Sequence, residues 1–145
     1  MVACASADGV RDAYAKAVAR APEESRAEGE ALVASMKKAK AKLSPEQAEL
    51  VACEAVVLAE TKDHLDWELI AKCGEHLGGP QGDALKSASA KIEDQEDEHL
   101  YHTKGWCREL WIESLGMPAV LPPPEEVRHV KTAIGAARAE QEAEK

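Results

Sequence analysis

The sequence predicts an all-α chain, and three observations carry that expectation. Phe is absent and Ala is abundant, a composition that favours helix. The glycines and prolines fall mostly between stretches in which apolar residues recur every three or four positions. No stretch shows the strand-like alternation of apolar and polar residues, and no repeat marks a solenoid. At 145 residues, 45% of them hydrophobic and 31% charged, the chain fits one helical domain, 1–145, able to bury a core.

The elements follow from local signals. Ser6-Ala7-Asp8 caps a short first helix carrying Val10, Tyr14 and Val18 and ended by Pro22. Pro22-Glu23-Glu24 opens a second helix to about Lys42, with acids early and lysines late as the helix dipole favours. Its apolar stripe, Leu32, Val33, Met36 and Leu43, is thin. These short helices make up residues 1–43.

Ser44-Pro45-Glu46-Gln47 is a capping box with proline at the first helical position. Nothing then breaks the helix before Gly78-Gly79-Pro80. Pro80 opens the next one, which runs to the Gly-then-Pro stop at Leu115-Gly116-Met117-Pro118. Two long helices, about 45–77 and 80–116, should therefore fold as an antiparallel hairpin, because the connection between them is so short. The hairpin region is 44–117. A Pro-rich connector, "PAVLPPPEE", and a last helix beginning near Pro124, with Val127, Val130 and Ile134, complete residues 118–145.

Charge and cysteine usage exclude some functions. A net charge of −9 argues against nucleic acid, whose phosphates need a basic surface, and favours cations near the protein. No segment approaches the roughly 20 apolar residues of a membrane span. Cys4, Cys53, Cys73 and Cys107 are scattered without a C-x-x-C pair, and three of them fall inside predicted helices, which points to small buried thiols in a reducing, cytoplasmic setting. Val2-Ala3-Cys4, with no basic start or apolar run before it, is read as chance and not as a lipoprotein cleavage site, unless the chain was trimmed.

The polar residues inside the hairpin are the informative ones. Helical spacing links Leu50, Cys53, Val57, Glu60, His64, Trp67 and Ala71 on the first long helix. On the second it links Leu85, Ser89, Ile92, Glu96, His99, Thr103, Trp106 and Leu110. Both stripes are apolar at the ends and polar in the middle. Folding about Gly79 sets Glu60 opposite His99, and His64 opposite Glu96 or Gln95. Buried carboxylates are costly unless neutralised, and a metal ion binds carboxylate and neutral imidazole together. The candidate ligands are Glu60, Glu96, His99 and His64, with His64 a ligand, a supporting partner or a core imidazole. Glu93, Asp94, Asp97 and Glu98 are expected to face water and draw cations. Tyr101, His102, His76 and His129 are expected to be structural.

Glu60 with Glu96-x-x-His99 resembles the half-site of the ferritin-like superfamily of carboxylate-bridged di-iron proteins. The likeness covers about residues 45–116. It implies a four-helix bundle, Glu60 and Glu96 as carboxylate ligands, His99 as a terminal nitrogen, and iron as the metal. This chain has only one E-x-x-H, and in that respect is similar to the encapsulated ferritins, whose two-helix subunits complete the site at a twofold interface. The resemblance thus implies a homodimer, and an oxidoreductase activity in which Fe²⁺ is oxidised by O₂. His64-x-x-x-Glu68 is similar to one fragment of a hemerythrin site, without the paired H-x-x-x-H. Two other readings stay open. One is a non-catalytic helical interaction module whose polar centre fixes register. The other is a mononuclear site of Glu60, His64, Glu96 and His99 suited to Zn²⁺ or a single iron, with Mn²⁺ a further candidate metal for the chain.

Overall fold

Ser44 caps the first long helix as its sequence requires. In the computed structural model, which describes residues 23–143, the Gln47 N–H donates to Ser44 Oγ at 3.3 Å and the Ser44 N–H to Gln47 Oε1 at 3.4 Å. The described regular structure is helical throughout: α1 Glu23–Lys42, α2 Pro45–Leu77, α3 Gly79–Ser114, α4 Pro124–Val127 and α5 Ala133–Ala143. The short helix expected between Ser6 and Pro22, and Cys4, lie outside the described residues.

The turn between α2 and α3 rests on two glycines. Gly78 and Gly79 take φ values of 61° and 60°, a left-handed geometry that any side chain would strain. Beyond the turn the helices run antiparallel. Gly74 lies against Gly82 near the turn, Ser89 Oγ donates to the Trp67 carbonyl at 3.1 Å, His64 meets Asp97 midway, and Trp111 Nε1 donates to Glu54 Oε1 at 3.0 Å near the open end. A Cβ on Gly74 would stand 2.9 Å from the Gly82 carbonyl oxygen, so the small residues let the backbones touch.

α3 stops two residues short of the expected 116. Gly116 has φ 76°, its N–H bonds Glu113 O at 2.9 Å, and the Met117 N–H bonds Ile112 O at 3.1 Å. That paired closure ends a helix at a left-handed glycine. The single helix expected from Pro124 appears as two, α4 and α5. The same closure recurs between them, with the His129 N–H on Glu126 O and the Val130 N–H on Glu125 O, and His129 takes the left-handed position at φ 50°. Val130 is thereby turned inward and buried, which a continuous helix through these residues would not provide.

α1 packs on α2 through a thin stripe: Ala39 is buried, Leu32 and Met36 are half-buried, and Val33 is 44% exposed. The C-terminal connector returns along α3 and is clamped there. Arg108 lies between Glu109 and Glu125, two carboxylates only 1% and 2% exposed. Glu109 Oε2 also accepts from the Val120 N–H at 2.8 Å, and Trp106 Nε1 donates to Glu126. Among the described residues no helix is long and apolar enough to cross a membrane.

Candidate functional site

Midway along the hairpin, α2 and α3 present acids to each other. Glu96 is 8% exposed, Glu60 is half-buried and Asp63 is exposed at the seam's edge. The Glu96 carboxyl is raised to about 7, first by burial, then by a hydrogen bond with the Asp63 carboxyl, then by the charges of Asp63 and Glu60. Two carboxyl groups share a hydrogen bond only while one of them holds a proton. Glu96 Oε2 is buried without a hydrogen-bond partner.

His64 stands beside these acids and is held by different ones. Its Nδ1 is 3.2 Å from Asp97 Oδ1 across the seam, and its Nε2 is 3.5 Å from Glu68 Oε1 one turn along α2. His64 and Glu96 both border a half-open cavity of about 480 Å³, with Trp67, Glu68, Ser89 and Glu93 among its other walls. Both ring nitrogens of His64 thus face carboxylates, which suits a supporting imidazole better than one already turned towards a ligand.

His99 is exposed. Three residues along a helix advance about 300°, so a residue three beyond Glu96 sits roughly 60° to one side of it. Glu96 occupies the middle of the buried face, and that rotation carries His99 past its edge. Glu60 and Glu96 are therefore brought to one carboxylate group, while the chain alone leaves His99 outside it. His64 reaches Asp97 and not the expected Glu96 or Gln95. Among the described residues no group of three or more His, Cys, Asp or Glu side chains is gathered closely enough to hold a metal ion as it stands.

The sequence reading missed Asp63 and misjudged Asp97. Asp63 follows Glu60 by three residues, the same spacing that separates Glu96 from His99, but it lies beside the apolar stripe of α2 and not on it. Asp97 and Glu98, expected to face water, are half-buried: Asp97 against His64, and Glu98 under the His129 turn, while Glu93 is exposed as expected. His76 is exposed, and His102 is half-buried beside His129.

Elsewhere in the seam, Cys53 and Cys107 lie half-buried side by side, whereas Cys73, expected to be buried, is exposed. Burial, then the neighbouring Cys107, pushes the Cys53 thiol up to about 12, so it remains protonated at ordinary pH. Compared with family models, curated proteins and solved structures, the chain matches none.

Proposed function

We propose that the chain is a helical metal-binding protein of ferritin-like type, and that Glu60, Asp63 and Glu96 are the carboxylates of half a site for a hard cation, iron first. The observation that carries this reading is Glu96 itself: a buried carboxyl with one oxygen unpartnered, beside two further acids. Such a cluster is stable only if a proton or a cation neutralises it. Three oxygen donors suit Fe²⁺ or Mn²⁺ better than soft metals.

The donors available within one chain do not complete a di-iron set. A second copy would double Glu60, Glu96 and His99, and the exposed ring of His99 is accessible to such a partner. When bound, iron would supply one-electron chemistry towards O₂. The protein's part is to fix the carboxylates, hold His64 through Asp97 and Glu68, and limit water with Trp67.

A second reading rests on its own observation. Leu58, Leu65 and Leu69 on α2 are 58%, 53% and 61% exposed, at spacings of seven and four that suit helix-on-helix docking. In that reading the chain is a non-catalytic interaction module, and the acids only set register.

One experiment separates the two. The full chain is loaded anaerobically with Fe²⁺, desalted, analysed for iron and then exposed to air. The metal reading predicts stoichiometric iron and oxidation faster than in a protein-free blank, with Glu96→Gln losing both. Absence of retained iron, with oxidation at the blank rate, supports the module.

A further inference from the structure

α3 carries another polar cluster on the side turned away from the seam. Glu98 and His102 lie one turn apart on α3, and His129 comes down on them from the closure between α4 and α5. His129 Nδ1 is 3.3 Å from Glu98 Oε1, and His102 Nε2 is 3.9 Å from the same oxygen. The two imidazole rings are 6.3 Å apart between centres, tilted by 44°. His102 Nε2 is buried without a hydrogen-bond partner. Buried polar atoms are rarely left so unless a water or an ion completes them.

We propose that Glu98, His102 and His129 form a second cation site, taking a borderline divalent ion of the zinc class through Glu98 Oε1, His102 Nε2 and His129 Nδ1. Two imidazoles and a carboxylate are a donor set that such ions favour. Ligands about 2.0–2.1 Å from a four-coordinate ion stand roughly 3.3 Å from one another. The Glu98–His129 pair already has that spacing, at 3.3 Å, and the Glu98–His102 pair, at 3.9 Å, is somewhat wider. The approach that remains is between the two imidazoles. The His129 side chain is 76% exposed, so its ring can turn without disturbing the core.

Lys131 sets a signature for the site. Its Nζ is 3.6 Å from Glu98 Oε2, the oxygen not used, and its charge opposes an incoming cation. An ion at this position would staple the C-terminal segment to α3. It needs none of the seam carboxylates, so it stands or falls apart from the site at Glu96.

The test is calorimetric titration of Zn²⁺ into the full chain and into His129→Gln, Lys131→Gln and Glu96→Gln. His129 is exposed, so its variant should fold, with an unchanged circular dichroism spectrum. The proposal expects His129→Gln to weaken one Zn²⁺ equivalent more than about tenfold, the lower end of what even a supporting partner of a ligand contributes. It also expects Lys131→Gln to tighten that equivalent, and Glu96→Gln to leave it intact. Cobalt(II) should give visible d–d bands that His129→Gln abolishes. Unchanged Zn²⁺ affinity in His129→Gln, no Zn²⁺ binding by the wild-type chain, or loss of this equivalent in Glu96→Gln would each overturn it.

Discussion

Glu96 concentrates the physical problem that the hairpin has to solve. Its carboxyl is raised from 4.5 to about 7, so in the folded chain it keeps a proton that the unfolded chain gives up near pH 4.5. Its contribution to stability is present in full below about 4.5 and is lost as the pH rises through about 7. The metal-free chain should therefore melt at a lower temperature at pH 8 than at pH 5, on account of this residue. Glu96→Gln, which keeps the shape and removes the charge, should flatten that slope and stabilise the chain at pH 8. The gain should be about 1–2 kcal/mol, moderated because a seam two helices thick is partly screened by water. Thermal melts of both proteins across this range check it. Glu96 was legible in the sequence because it interrupts an apolar stripe. Asp63 was not, since it lies at the stripe's edge and only the actual rotation of α2 shows that it reaches Glu96.

At the scale of elements, the signals that could be read were the ones that act locally. The Ser44 box, the Gly78-Gly79 turn and the Gly116 stop each depend on the backbone chemistry of a few adjacent residues. The break at His129 does not. It depends on burying Val130 and on clamping the connector to α3, contacts that a one-dimensional pattern does not reveal. The clamp gives a clear prediction. Arg108→Met would leave Glu109 and Glu125 buried without their shared cation, and should cost about 3–5 kcal/mol in urea unfolding. Gly82→Ala should loosen the hairpin near its turn, because the added methyl would collide with the Gly74 carbonyl. The expected cost is about 1–3 kcal/mol. The helical period brought Glu60 and Glu96 to the same seam, but it also set His99 opposite Glu60, where the structure leaves His99 exposed, and it put His64 opposite Glu96 or Gln95, where His64 meets Asp97.

At the scale of the whole molecule, the large exposed apolar residues outnumber the buried ones among the described residues. The buried apolar side chains are mostly alanines, joined by Leu100, Val130 and Pro123, whereas Leu58, Leu65, Leu69, Leu77 and Ile134 are open to solvent. Exposed apolar residues of this kind are what the proposed pairing of two copies would cover. Light scattering after gel filtration should show a species larger than 15.6 kDa, and Leu65→Glu with Leu69→Glu should return it to the monomer mass. The central claim, that the seam carboxylates exist to meet a cation, has a more direct test: the melting temperature at pH 8 with and without excess Mn²⁺, which substitutes for Fe²⁺ without oxidising readily in air. The account predicts that Mn²⁺ stabilises the wild-type chain, by about 2.7 kcal/mol at a hundredfold excess over its dissociation constant, and leaves Glu96→Gln unmoved. Equal shifts in the two proteins, or none in either, would contradict it.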